Sequence, residues 1–270
     1  MFAMSNKRLF GVALGALIAG VSTPSRADDV YIPLVSKGFQ HQFWQAVKLG
    51  AEQAAKTGNV KITFEGPETE AMVDKQIDML SAALAKKPQA LGFAALDSKA
   101  AIPLLKKAQA AKIPVVAFDS GVDSDIPLTT CTTDNLAAAG LAADKMADLV
   151  GGAGDVAVVV HDQTSRTGID RRDGFLKQMK DKHPNIKIVS VQYGGGDQLK
   201  STEITKSILQ ANATLKGAFG AYEGSAIGVL NGVNEMKKKV VVGYDSCKRQ
   251  RAAIRIGGAL HDRLDSATKV

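Results

Sequence analysis

Gly151-Gly152-Ala153-Gly154 breaks a helical pattern, and Val156-Ala157-Val158-Val159-Val160 follows at once. Three glycines in four residues end a helix, and the short apolar run after them reads as a strand buried on both faces. Working backwards, the spacing predicts a helix over Leu136–Val150, a short apolar piece at Leu128–Cys131, and a strand at Ile113–Phe118. Before these lie a helix at Ala100–Ala111 with Pro103 tolerated early, a strand at Ala90–Ala95, and a helix carrying Val73, Ile77, Leu80 and Leu84. A strand at Val60–Phe64, a helix with Phe43, Val47, Ala51 and Ala54 inward, and a strand at Val30–Val35 complete that half. Pro33 removes one ladder donor from this first strand. Working forwards, helices at Gly168–Asp181, Leu199–Ala211, Ser225–Met236 and Arg249–Ile256 alternate with strands at Ile186–Val191, Gly217–Gly220 and Val240–Tyr244. Strand–helix alternation means parallel sheets covered on both faces. Two such series imply an α/β chain of two doubly wound lobes joined by a hinge. The expected divisions are 28–132 and 133–260, with a chain crossing near 243–247 and an atypical tail at 261–270.

The 270 residues are 45% apolar and 23% charged, which supports packed cores and excludes a disordered chain. Lys7 and Arg8 precede an apolar stretch from Leu9 to Val21, too short to span a bilayer, and Ser25-Arg26-Ala27 offers a signal-peptidase site. Residues 1–27 are therefore expected to be a signal peptide cleaved after Ala27, placing the chain in the periplasm. Of the formal net charge of +7, Lys7, Arg8 and Arg26 contribute three with no acid among them, leaving the remainder near +4. Its one basic run, Lys237-Lys238-Lys239, reads as a solvated helix end, so no nucleic-acid partner is expected. Cys131 and Cys247 fall in different units and are expected to be separate, buried thiols. No metal or cofactor motif occurs.

In open parallel sheets ligands sit beyond the carboxyl ends of the strands. Those positions here hold Ser36 to Trp44, Asp119-Ser120-Gly121, His161 to Ser165 with the pair Arg171-Arg172 beyond, Tyr222-Glu223 and Asp245-Ser246. Carboxylates and guanidinium groups fix hydroxyls by charge-assisted bonds, and aromatic faces cover C–H groups. The inventory suits a polyhydroxylated ligand.

Five segments carry a family resemblance: Gln42-Phe43-Trp44, Ile113 to Asp119, Thr133-Asp134-Asn135, Arg171-Arg172-Asp173-Gly174-Phe175, and Val242 to Ser246. In this order and spacing the chain resembles the ribose-binding-protein family, the substrate-binding subunits of bacterial ABC sugar importers. The resemblance runs from about Asp28 to Leu260. It implies the type I periplasmic binding protein fold, a venus flytrap with three chain crossings. It also implies a monomer whose partners are a monosaccharide or polyol, a membrane permease and, in some relatives, a chemoreceptor. Phe43 and Trp44 would stack on the sugar, Asp119, Arg171 and Asp245 would bond its hydroxyls, and His41 stands at a polar contact position. Tyr222 replaces a residue commonly asparagine, and Gly194-Gly195-Gly196 stands where the family has an aromatic. The resemblance stops after His261, and Asp262 to Val270 reads as a frameshift or premature stop would, with the C-terminal return segment missing.

Other readings compete residue by residue. Phe43 and Trp44 could be helix core, Asp119 could cap a turn, and Arg171 could pair with Asp173. Glu223 reads as a first-turn helix acid. Gly194-Gly195-Gly196-Asp197 lacks the lysine and hydroxyl of a phosphate loop and reads as a turn with an Asp cap. His161 and Asp162 hint at catalysis, but no nucleophile elbow surrounds them, so they read as cleft lining. A dehydrogenase would carry a dinucleotide fingerprint after the first strand, and Ser36-Lys37-Gly38-Phe39 lacks it. A repressor would begin with a helix-turn-helix. An inactive remnant of a sugar-binding protein is the remaining alternative.

Overall fold

The computed structural model describes residues 30–235, 240–245, 250 and 260–262. The expected leader, Lys237 to Lys239, Cys247 and nearly all of the expected 249–256 helix lie outside them. The first sheet holds β1 (Tyr31–Val35), β2 (Lys61–Glu65), β3 (Leu91–Phe93), β4 (Val115–Phe118) and β5 (Thr129–Cys131), all parallel, in the order β2-β1-β3-β4-β5. Its helices are α1 (Gln42–Gly58), α2 (Val73–Ala85) and α3 (Ile102–Ala110). The second sheet holds β6 (Gly154–Val160), β7 (Ile186–Tyr193), β8 (Leu215–Gly220), β9 (Val240–Gly243) and β10 (Leu260–Asp262), also parallel. With it go α4 (Asn135–Val150), α5 (Arg166–Lys182), α6 (Gln198–Ala211) and α7 (Glu223–Glu235).

The second sheet's order, read from its β7 edge, is β7-β6-β8-β9-β10, which repeats the first sheet strand for strand. The sequence echoes it: Val115-Val116-Ala117-Phe118-Asp119-Ser120 at the end of β4 corresponds to Val241-Val242-Gly243-Tyr244-Asp245-Ser246 at the end of β9. In each sheet the chain reverses direction beside its first strand, so each lobe has its topological switch point at the carboxyl end of that strand. β10 was not expected, and it crosses the expected boundary between lobe and tail at 260/261.

Both faces of β6 are buried, as its unbroken apolar run demands. Val156, Val158 and Val160 pack with Met146, Phe175 and Phe219 on one side. Ala157 and Val159 pack with Ile208, Leu209 and Val229 on the other. Phe175 and Phe219 stack at 4.3 Å between centroids. Gly174 is what lets α5 approach α4, since a Cβ there would lie 2.4 Å from the carbonyl oxygen of Leu136. The first core gathers Val35, Leu80, Leu91, Phe93, Leu105 and Val115. Three helix starts carry side-chain caps: Asp134 accepts from the Ala137 N–H, Ser165 from Gly168 and Asp197 from Lys200. The Asp197 cap is the one read from the glycine turn before it.

Three expectations change. The buried face of α1 is turned by one residue: Trp44 and Ala55 are buried while Ala54 is exposed, because the Trp44 indole N–H has a partner inside. Cys131 is an exposed free thiol, since β5 is an edge strand carrying no cover on that residue. Pro33 costs little. On the β2 side Ser36 N donates to Glu65, and on the β3 side Gln89 N donates to Tyr31. By alternation the Pro33 nitrogen faces the β3 side, at a level before β3 begins pairing at Leu34.

Candidate functional site

The two switch points face each other, and the side chains at the strand ends meet between the lobes. A small cavity there is lined by Lys37, Phe43, Trp44 and Asp119 from the first lobe and Thr167, Arg171, Tyr222 and Asp245 from the second. Six of the seven expected residues are thus brought together. His41 is not among the lining: its ring packs edge-on against Tyr222 at 4.9 Å, with Nδ1 3.9 Å from Glu223 Oε1. Arg172 also leaves the site, donating to Asp173 at 2.6 Å and to the Tyr193 hydroxyl at 3.2 Å. Only the first arginine of the pair turns inward.

Asp119 and Asp245 both adopt left-handed backbone, with φ of 56° and 70°. Aspartate tolerates this region better than most residues, and such strain of about 1–3 kcal/mol is characteristic of functional turns. Asp119 is held in it by its N–H, which donates to Cys131 O at 2.8 Å, and by its own carbonyl, which accepts from the Thr132 hydroxyl at 2.5 Å. Arg171 is buried; its Nε donates to Asn135 Oδ1 at 2.8 Å and Nη1 to Ala221 O at 3.2 Å. Its guanidinium lies 3.9 Å above the Tyr244 ring, whose hydroxyl also donates to Asn135. Burial alone would weaken its charge, but Tyr244, Asp245 and Asp119 hold its pKa above the ordinary value.

The most unexpected members are Lys37 and Glu70, both almost wholly buried. Lys37 Nζ lies 3.6 Å from Glu70 Oε2 and 3.8 Å from Asp119 Oδ2, and donates to the Thr167 hydroxyl at 3.1 Å. Glu70 Oε1 accepts from the Trp44 indole at 2.6 Å and from the Tyr222 hydroxyl at 2.7 Å. Burial pushes both groups toward neutrality, yet the surrounding charges and hydrogen bonds together outweigh it, the partner's charge first among them. Lys37 titrates above its usual range, and Glu70, helped by its two donors, below. Burial wins at Asp119, whose carboxyl is raised despite Lys37 and Arg171. Among the described residues around the cavity, two cations, Lys37 and Arg171, therefore face three carboxylates, Glu70, Asp119 and Asp245.

Glu223, the first residue of α7, reaches across to the other lobe. Its carboxylate accepts from the Gln42 and Phe43 N–H groups at 3.4 and 3.3 Å, which open α1 in the opposite lobe. Burial raises its pKa, with Asp245 adding to the effect against His41. With Lys37–Thr167, Tyr222–Glu70 and Ser98 N–Thr164 O at 3.0 Å, it closes the lobes on one another.

His161, Asp162 and Ser165 adjoin each other but are laid out as a helix cap. Ser165 Oγ donates to Asp162 Oδ2 at 2.8 Å and itself accepts from Gly168 N. Both Ser165 and Asp162 face the same ring nitrogen of His161, Nε2, whereas a proton relay uses the two nitrogens for different partners. Burial pushes His161 down to about 3, so it stays neutral near pH 7. Among the described residues no cluster of His, Cys, Asp and Glu is placed to hold a metal ion.

Charge-bearing donors and acceptors around an aromatic wall, at the switch points of two like lobes, define a ligand-binding cleft of the solute-binding kind. The family model described as periplasmic binding protein domain matches residues 32–259, and the chain belongs to that family. The D-apiose import binding protein of Actinobacillus succinogenes is 26% identical over 93% of this chain and 81% of its own. The D-allose-binding periplasmic protein of Escherichia coli is 26% identical over 90% and 81%. Among solved structures, a carbohydrate transporter solute-binding protein from Agrobacterium radiobacter in complex with D-arabinose superposes with a TM-score of 0.82 at 31% identity, over 87% of this chain and 81% of that one. An ABC transporter solute-binding protein from Agrobacterium vitis with bound D-fucose gives 0.81 at 33%, over 85% and 81%. The fold is the type I periplasmic binding protein fold expected from the sequence.

Proposed function

We propose that this chain is the solute-binding subunit of a bacterial ABC sugar importer, closing on one neutral monosaccharide or related polyol and delivering it to a membrane permease. The observation that carries the reading is the lining of the cavity. Asp119 and Asp245 accept from hydroxyls, Lys37 and Arg171 donate to them, and Phe43, Trp44 and Tyr222 supply apolar faces. The balance of charge there favours a neutral ligand over a sugar acid or phosphate. The sugars named for the relatives, D-apiose, D-allose, D-arabinose and D-fucose, are of this class. The arrangement supports binding, and Ser165, the serine beside His161 and Asp162, serves as a helix cap.

In a thermal-shift screen, neutral pentoses, hexoses or polyols raise the melting temperature. A response confined to amino acids, nucleotides or metal ions overturns the reading. The basic, apolar and small-residue succession before Asp28 supports export to the periplasm with cleavage after Ala27. N-terminal sequencing of the exported protein then begins at Asp28, and a chain that keeps Met1 refutes it.

A further inference from the structure

We infer that Tyr222 is the residue that limits ligand size, closing the cleft beyond a single monosaccharide unit. This rests on the sugar-binding reading above. Tyr222 follows β8 and enters the cleft from the second lobe, almost wholly buried. Its ring is held between two imidazoles, His41 edge-on at 4.9 Å and His161 tilted by 32° at 4.8 Å. Its hydroxyl donates to Glu70 of the first lobe at 2.7 Å. Tyr222 lines the cavity, while His41, Glu70, His161 and Gly196, which pack around its ring and hydroxyl, are outside that lining.

Gly196 stands beside the ring. Gly196 has φ of +76°, and a Cβ there would touch Tyr222 Cε1 at 3.6 Å and its hydroxyl at 3.7 Å. Those are ordinary contact distances, and it is the left-handed backbone that any other residue would strain. Polar atoms also remain there: His41 Nδ1 and His161 Nδ1 are buried without a hydrogen-bond partner among the described residues. With Tyr222 gone, they would line a second compartment able to meet the hydroxyls of a second sugar ring.

Exclusion of a longer ligand then follows from closure. Tyr222 and Glu70 belong to opposite lobes, so their hydrogen bond forms only when the lobes meet. A ligand extending past the ring blocks that bond and strips a donor from a buried carboxylate, a loss comparable to about tenfold or more in affinity. A ligand that ends at the ring leaves the bond intact.

The test is titration calorimetry of the full chain with the monosaccharide identified by the thermal-shift screen, and with maltose, lactose and cellobiose. Wild type binds the monosaccharide and discriminates against disaccharides. In Tyr222→Ala and Tyr222→Asn, the ratio of disaccharide to monosaccharide affinity rises at least tenfold. Should neither variant fold, Tyr222→Phe removes only the hydroxyl's hold on Glu70, and there the ratio rises severalfold. A ratio within twofold of wild type in a folded variant overturns the inference while leaving sugar binding intact. Wild type that binds no sugar refutes the sugar-binding reading, and this inference with it.

Discussion

Glu70→Ala lowers the stability of the protein by about 3–5 kcal/mol, the usual cost of leaving one partner of a buried ion pair alone. Lys37, only 2% exposed, would keep its charge with Asp119 at 3.8 Å as its nearest remaining carboxylate, while Trp44 and Tyr222 would both lose their acceptor. Glu70→Gln, which keeps the shape, falls nearly as far. The double variant Lys37→Met/Glu70→Gln recovers most of the loss, since neither member of the pair is then left charged without its partner. The dependence on pH has a definite sense. Glu70 titrates below its unfolded value of 4.5 in the folded protein, so its contribution is present above pH 4.5 and is lost as pH falls through the folded value. Lys37 titrates above 10.5, so its contribution is present below pH 10.5 and is lost as pH rises through the folded value. The deficit of Glu70→Ala is therefore largest between about pH 5 and 10 and shrinks in acid. Urea denaturation at pH 3.5 and 7 measures it; an equal deficit at both, or one under 1 kcal/mol at pH 7, contradicts the pairing.

Arg171→Ala weakens sugar binding by about 2–4 kcal/mol, a factor on the order of 30 to 1,000. The guanidinium touches Asn135, Ala221 and the Tyr244 ring, so it is fixed before any ligand arrives. Removing it leaves Asp119 and Asp245 repelling each other across the cavity and takes a planar set of donors from the ligand. Arg171→Lys does not rescue binding, because an ammonium cannot keep the Asn135 and Ala221 bonds while resting on Tyr244. Asp119→Ala and Asp245→Ala fall in the same range by removing the acceptors. Calorimetry decides: near wild-type affinity in Arg171→Ala shows that the arginine is purely structural.

The alternation of strands and helices was legible because most strands are short apolar or alternating runs, and Asp197 marks one helix start after its glycine turn. Ligands in this architecture sit beyond strand ends, so Asp119, Tyr222 and Asp245 could be found by counting from them, and Arg171 from the helix that follows β6. Lys37 stood in one of those same segments and was passed over, because a lysine is rarely buried unless paired, and its pair could not be seen. Glu70 lies in the loop between β2 and α2, and its partner Tyr222 is 152 residues away. No local pattern records such a contact. Exposure of Cys131 was hidden for a related reason: whether a strand is central or at an edge is a property of the sheet. The one-residue turn of α1 was likewise decided by Glu70, which draws Trp44 inward.

Trp44 is the only tryptophan in the chain, and its indole N–H shares an oxygen of Glu70 with a hydroxyl from the other lobe. Indole emission responds to the polarity and hydrogen bonding of its surroundings. When the lobes part, that carboxylate exchanges Tyr222 for water, and the chromophore beside it registers the change. The protein thus carries a native optical probe at the point where its two halves touch, with no second indole to blur the signal, and opening can be timed in a stopped-flow instrument without attaching a dye.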